Sequence, residues 1–242
     1  HSLFGVEVDL DALLSPTHLV MFTGGLLLLT GPFRAHWVAD PESAPSFREF
    51  LPALLSLALT AALVAFFFMY ITPFRRQDYG TWVNELASGG DAEDLRIIGL
   101  AALLITNVLY MAPLLLVLRR WRPPFGTATV LLASMTTLIV AVDGFERWFL
   151  VLATLPGGLA ADVLVRRLTP AAERPWTPRI VAAAASFVLW SAFFAVYQVV
   201  DGVGWTAELW VGAIVMATLS SLALGLLMFP PAVAGSPATD RP

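Results

Sequence analysis

Long apolar runs separated by short polar segments dominate the chain. A helix that crosses the hydrocarbon core of a bilayer needs about 20 predominantly apolar residues, and several runs approach that length. They are about Pro16–Pro32, Phe50–Thr72, Leu95–Leu118, Thr127–Val142, Trp148–Val165, Ile180–Val200 and Ala207–Phe229. The pattern therefore predicts an all-α fold, a polytopic transmembrane helical bundle of about seven spanning helices.

Polar segments divide this bundle into an expected organisation. Residues 1–231 form a single transmembrane domain, which begins with an extracytoplasmic segment over residues 1–15. The longest polar loop, residues 73–94, is expected to lie over the outer helix ends. The tail, residues 232–242, is small, polar and rich in proline, which predicts a disordered cytoplasmic segment.

The arginines predict the orientation of the bundle. All 14 basic residues are arginines, and cytoplasmic loops of membrane proteins carry an excess of positive charge. With the N-terminus outside, ten arginines fall on the inner side and four on the outer side. The chain is therefore expected to span a cell membrane several times, with its N-terminus outside and its C-terminus in the cytoplasm.

Composition excludes several classes of function. Hydrophobic residues make up 58% of the chain and charged residues only 13%, which favours a lipid bilayer as the surrounding partner. The absence of cysteine excludes disulfides and thiolate metal sites, and the absence of lysine excludes a Schiff base. A net charge of −4 gives no basic surface for nucleic acid.

The N-terminal segment holds the strongest candidate site. Two histidines, His1 and His18, and the carboxylates of Asp9 and Asp11 lie at or before the start of the first predicted helix. Ser15 suits the N-cap of that helix, and the partial positive charge of a helix start favours neutral imidazole at His18. Nitrogen and oxygen donors of this kind suit copper, with zinc as the alternative. The structural alternative is an interfacial histidine beside solvated loop acids.

This segment also resembles a known copper-binding motif. In the C subunit of particulate methane and ammonia monooxygenases, an Asp and a His precede a Thr-Pro-Ser-His segment that opens a transmembrane helix. Here Ser15-Pro16-Thr17-His18 is similar to that opening, and His1 matches the first histidine. The resemblance covers residues 1 to about 25 and implies copper. The gap between the histidines is longer here, and Asp9 or Asp11 would have to replace the family's aspartate.

Four further polar residues are candidates at or within the spans. Asp143 and Glu146 lie in the outer hairpin beside Arg147, where they either cap the hairpin with local pairing or join the N-terminal histidines as additional ligands. Asn107 and Tyr110 lie one turn apart near the middle of the third span. A buried amide is costly in lipid, so Asn107 is expected to face other helices, as interhelical contact or as part of a substrate site.

Two functions follow from this sequence. The first is a membrane metalloprotein with a copper site at the outer helix ends, in the manner of a monooxygenase-like or copper-handling subunit. The second is a non-enzymatic integral membrane subunit or a small-solute permease without metal. Partner membrane subunits or a homo-oligomer are compatible with the sequence, which leaves open the oligomeric state and whether the protein is an enzyme.

Overall fold

The computed structural model describes residues 13–39, 44–75, 79, 91–168 and 176–230. Eight helices occupy these ranges: α1 Pro16–Leu29, α2 Gly31–Ala39, α3 Phe47–Phe67, α4 Asp91–Arg120, α5 Thr127–Val142, α6 Phe149–Leu168, α7 Trp176–Val200 and α8 Ala207–Met228. The all-helical prediction is confirmed for these residues. The tail at 232–242 and most of the loop at 73–94 lie outside the described part of the chain.

Within those ranges, five helices are long and apolar enough to cross a membrane: α3, α4, α6, α7 and α8. The protein is thus a membrane-type helical bundle, and five helices rather than seven meet this criterion. Helix α5 is equally apolar but has only 16 residues. The first predicted span, Pro16–Pro32, corresponds to α1, and α2 follows it in a segment predicted to lie between spans; neither helix alone reaches the required length.

The break between α1 and α2 has a specific cause. Pro32 has no backbone N–H and its ring crowds the preceding turn, which breaks a helix. At this break, the side chain of Ser56 from α3 inserts between backbone groups of the first two helices. Its hydroxyl accepts from the backbone N–H of Phe33 at 3.1 Å and donates to the carbonyl of Leu29. In an uninterrupted helix those two backbone groups would bond to each other. One hydroxyl from a neighbouring helix therefore satisfies both groups at the break.

Helices α1 and α2 together run antiparallel along α3. Phe22 contacts Phe67 near the end of α3, whereas His36 contacts Phe50 near its start. Pro16–Ala39 covers about 35 Å at 1.5 Å per residue, which matches a hydrocarbon core of about 30 Å. The α1–α2 pair thus has the reach of one bent span, and α1 contributes no buried residue.

The other helices form a closed ring. Helix α3 packs against α5, α5 against α6, α6 against α7, α7 against α8, and α8 against α4, which returns to α3. Helix α4 also contacts α7 across the ring. Aromatic side chains fill the interior near the loop that follows α3; these are Phe74, Tyr79, Tyr110, Trp190, Phe193 and Tyr197.

Two adjacent glycines allow α6 to pack closely on both neighbours. A Cβ at Gly157 would lie 2.7 Å from Cβ of Leu189 in α7. A Cβ at Gly158 would lie 2.5 Å from Cα of Thr129 in α5. Both distances are shorter than real carbon contacts, so only glycine fits here, as small residues do where transmembrane helices approach closely. The Gly157-Gly158 pair therefore serves helix packing.

Candidate functional site

His18 lies in the first turn of α1, where the capping pattern expected from the sequence is present. Ser15 has an extended backbone, with φ −63° and ψ 150°, and its hydroxyl accepts from the backbone N–H of His18 at 3.5 Å. The same oxygen lies 2.8 Å from Nδ1 of His18 and 3.0 Å from Oγ1 of Thr17. Ser15 is buried whereas the His18 ring is exposed, so the cap fixes the ring and leaves its other edge accessible.

These contacts bear on which ring nitrogen is free to bind a metal. A hydroxyl carries one hydrogen; when Ser15 donates it to Thr17, its oxygen accepts from Nδ1–H of His18. Nε2 is then unprotonated and its lone pair points away from the cap. Histidines that ligate metals commonly donate their other ring N–H to a fixed oxygen in this way. The opposite hydroxyl orientation places the proton on Nε2 instead.

The other predicted ligands, His1, Asp9 and Asp11, lie outside the described residues. Among the residues that are described, no group of three or more His, Asp or Glu side chains is arranged to hold a metal ion. His18 is thus the one predicted histidine or aspartate ligand of this group that the structure describes, and the copper site stays a prediction.

The hairpin between α5 and α6 holds a carboxylate that pairs with the loop after α3. Arg75 Nε donates to Oδ1 of Asp143 at 2.7 Å, and the Arg75 guanidinium lies 5.5 Å from the ring centre of Tyr70. Glu146 is exposed. Because α1 runs antiparallel to α3, His18 lies at the same end of the bundle as this hairpin. Asp143 pairs with an arginine 68 positions away in the sequence, so its partner could not be read from the hairpin itself.

Asn107 is the centre of a buried polar network that joins three helices. Its Nδ2 lies 2.8 to 2.9 Å from oxygens of α8, namely those of Ala217, Ser220 and Ser221. Its Oδ1 accepts from two groups of α7, Ser186 Oγ at 2.8 Å and Trp190 Nε1 at 2.9 Å. Asn107 faces other helices, as expected, and both ends of its amide are hydrogen-bonded.

Tyr110, one turn further along α4, makes a second interhelical bond. Its hydroxyl lies 2.8 Å from Oγ1 of Thr136 on α5, and its ring stacks on Phe74 with centroids 5.4 Å apart. Tyr110 is 1% exposed. Asn107 connects α4 to α7 and α8, and Tyr110 connects it to α5, so the polar atoms of both side chains are occupied by neighbouring helices.

Sequence reasoning missed a buried carboxylate in α6. Asp162 is 3% exposed and accepts from the backbone N–H groups of Ala128 at 2.9 Å and Thr129 at 3.1 Å, and from the Thr129 hydroxyl at 2.6 Å. These groups form the first turn of α5, whose N-cap, Gly126, has no side chain to cap it. A lone Asp inside the predicted fifth span was the available signal, since a carboxylate in a span needs a partner.

A buried arginine at the start of α7 was missed as well. Arg179 is 1% exposed, lies 4.5 Å from the ring centre of Trp176 and donates to the carbonyl of Phe229, just beyond α8. The alkyl part of its side chain packs against Gly225. Positive charge is favourable at the C-terminal end of a helix, where carbonyls lack intrahelical partners. Arg179 thus caps the C-terminal end of α8, whereas Asp162 caps the N-terminal end of α5.

Comparisons with known proteins add no relative to this picture, since no protein-family model, curated protein or solved structure matches the chain.

Proposed function

We propose that this membrane-type helical bundle holds a copper ion at the outer end of α1, with zinc as the alternative metal. The observation that carries the proposal is the geometry of His18. Its ring is exposed at a helix start, and Nδ1 is held 2.8 Å from the buried hydroxyl of Ser15. This arrangement orients Nε2 as a ligand.

The remaining donors come from the segment before α1. His1 supplies a second imidazole, and Asp9 or Asp11 supplies a carboxylate oxygen. The resemblance of Ser15-Pro16-Thr17-His18 to the copper motif of the monooxygenase C subunits supports the same assignment. Copper held there would supply one-electron redox chemistry, whereas the residues of this chain bind and orient it.

The orientation of the bundle completes the proposal. The ten-to-four distribution of arginines supports an extracytoplasmic location for the start of α1. Acidic residues are concentrated on that side, which draws cations to it. The proposed function is thus that of a multi-pass subunit of a cell membrane that binds its metal ion on the extracytoplasmic side.

A metal titration of the purified protein tests this function. Metal-free protein in detergent is titrated with Cu(II) and with Zn(II), and bound metal is measured after dialysis for the wild type, His18→Ala and His36→Ala. We expect one ion per chain in the wild type and in His36→Ala, and none retained in His18→Ala. Ser15→Ala should weaken binding about tenfold, as loss of a ligand's hydrogen-bond partner commonly does.

His36→Ala is the matched control because it also removes an imidazole. His36 lies on α2 and contacts Phe50 at the start of α3, whereas His18 lies near the other end of α3. Equal metal retention in His18→Ala and the wild type would remove the proposed site. A loss of metal of the same size in both histidine variants would point to general damage or adventitious binding and would also count against it.

A second candidate function is a non-enzymatic structural subunit without metal, and the Asn107 network favours it. Mid-membrane polar groups of Asn107 and Tyr110 are bonded to neighbouring helices, which disfavours a permease, because a permease needs a polar path for its solute. Mild-detergent purification followed by native mass spectrometry tests this reading. A partner polypeptide at fixed stoichiometry, with no metal in the wild type, would select it over the copper proposal.

A further inference from the structure

The hairpin of α5 and α6 is shorter than the helices beside it. Helix α5 has 16 residues and covers about 24 Å, whereas the hydrocarbon core of a bilayer is about 30 Å thick. Helices α7 and α8, with 25 and 22 residues, cover about 38 Å and 33 Å. A membrane that fits α7 and α8 is therefore too thick for α5.

Charged residues fix the level of the hairpin at the end opposite its loop. Arg166 and Arg167 occupy the last turn of α6, and Asp162 bonds the same part of α6 to the first turn of α5. Arginines at helix ends stay at the membrane surface, because the centre of the bilayer disfavours charge. With that end at one surface, α5 ends about 6 Å short of the opposite boundary of the hydrocarbon core.

The loop that joins α5 to α6 carries an aromatic residue in a costly backbone conformation. Phe145 has a φ of 63° and follows Gly144, whose φ is 65°. A bulky L-residue rarely adopts this left-handed region, whereas glycine adopts it freely. The Phe145 side chain is nevertheless 49% exposed, so packing within the described bundle covers only half of it. An outlier of this kind indicates a contact outside the bundle.

A second exposed aromatic residue lies in the same turn of chain. Trp148 is 58% exposed, and its backbone N–H donates to the Phe145 carbonyl at 3.2 Å. On either side of the loop, Val142 at the end of α5 and Leu152 in the first turn of α6 are exposed as well. The exposed apolar surface of the two helices therefore continues through the loop. Tryptophan in particular is enriched where hydrocarbon meets headgroups.

The charges of this loop are mostly engaged with neighbouring segments. Asp143 accepts from Arg75 at 2.7 Å, and Nη1 of Arg147 donates to the Tyr197 hydroxyl at 3.5 Å. Glu146 is the exposed charged residue of the loop. Paired charges lower the energetic cost of a site close to lipid, and a single exposed carboxylate can reach the headgroups.

We propose that the α5–α6 loop lies in the lipid bilayer rather than in water. Phe145 and Trp148 insert at the boundary between hydrocarbon and headgroups, and Glu146 lies among the headgroups. The bilayer is thinner above this hairpin than around α7 and α8, as it is beside any span that is too short for it. The proposal requires no metal at His18 and stands or falls separately from the copper site.

Spin-label depth measurements on the full-length protein in phosphatidylcholine bilayers test the proposal. The chain contains no cysteine, so one introduced cysteine is the sole labelling site. Labels at Phe145→Cys and Trp148→Cys probe the loop. Leu152→Cys is the control for lipid, and Asp201→Cys is the control for water, since Asp201 is exposed after α7 at the same end of the bundle. Collisions of each label with oxygen and with a soluble nickel complex give its depth.

We expect both loop labels to collide more with oxygen than with nickel, as at Leu152→Cys. Their depth should lie within about 6 Å of the hydrocarbon boundary, on its lipid side, with Asp201→Cys on the water side. Circular dichroism verifies that each labelled variant keeps the helix content of the wild type.

A second measurement leaves Phe145 unchanged. Brominated phosphatidylcholine quenches tryptophans that touch lipid, so the quenched share of the emission should fall in Trp148→Phe. It should not fall in Trp205→Phe, which removes a buried indole from the α7–α8 turn.

Three results would overturn the proposal. Nickel collisions at the loop labels as frequent as at Asp201→Cys would place the loop in water. Exclusion of both oxygen and nickel would mean that another protein chain, such as a second copy, covers the two aromatic residues. An unchanged quenched share in Trp148→Phe would show that this indole does not touch lipid.

Discussion

Replacing Asn107 with alanine removes one amide that bonds to two other helices. The loss of stability depends on which of the groups bonded to Asn107 keep another hydrogen-bond partner after the substitution. The hydroxyls of Ser220 and Ser221 each also donate to the Ala217 carbonyl, at 2.9 and 3.0 Å. These α8 groups therefore keep a partner after the substitution, and the loss falls on α7.

On α7, Ser186 Oγ and Trp190 Nε1 both donate to Oδ1 of Asn107 and lose that acceptor. A serine hydroxyl can turn to a carbonyl of its own helix, whereas an indole N–H within a packed core cannot. An unpaired buried donor costs about 1–3 kcal/mol, and the small cavity left by the amide adds about 1 kcal/mol. Asn107→Ala should therefore lower the free energy of unfolding by about 2–4 kcal/mol.

A double-mutant cycle measured by denaturant titration in mixed micelles tests this reasoning. Trp190→Phe removes the N–H that is left unpaired, so the double variant should lose about 1 kcal/mol less than the two single losses added together. Thr218→Ala is the control, because its hydroxyl donates to the Ile214 carbonyl one turn back in its own helix α8. It should change stability by less than about 0.5 kcal/mol.

The reasoning would be refuted by an Asn107→Ala variant as stable as the Thr218→Ala control. It would equally be refuted by strictly additive losses, since the cost is assigned to a single indole N–H. Either result would mean that the amide is replaced by water or that the helices rearrange freely around it.

Two further predictions concern the contact between α5 and α6, and both use the same unfolding measurement. Asp162→Ala removes the cap from the first turn of α5 and should cost about 2 kcal/mol, whereas Asp162→Asn keeps an acceptor and should cost about half as much; equal losses would show that the charge rather than the cap matters. Gly158→Ala places a methyl group against the Thr129 backbone and should cost about 1–3 kcal/mol, whereas Gly24→Ala, with open space around it, should gain about 0.5 kcal/mol. A stable Gly158→Ala variant would contradict the close packing of α5 on α6.

Helix ends and helix caps were predicted well from the sequence, because they depend on residues that are neighbours in the chain. The predicted limits of Thr127–Val142 coincide with those of α5, because Gly126 and Gly144 adopt positive φ values that end a helix on either side. The N-cap at Ser15 was also predicted correctly, since a cap involves residues only three positions apart. His18 is consequently placed as expected, and its proposed partners His1, Asp9 and Asp11 stay predictions.

The first span shows where local reasoning ends. Pro32 correctly marked a break, yet the chain resumes a helix as α2 because Ser56, 23 positions further on, bonds to the backbone of Phe33. A sequence pattern contains the proline but not the hydroxyl that compensates for it. The predicted end at Pro32 was therefore right as a break and wrong as the end of the helical segment.

The sequence by itself determined that the chain forms apolar helices, roughly where they begin and end, and that Asn107 turns inward. Lipid imposes these features on every segment separately, because each must satisfy its own backbone and hide its own polar side chains. Only the tertiary structure decided which helices meet. Asp162 caps α5 and Arg75 pairs with Asp143, and these contacts join residues far apart in the chain, whose distances are set by the packing of the whole bundle.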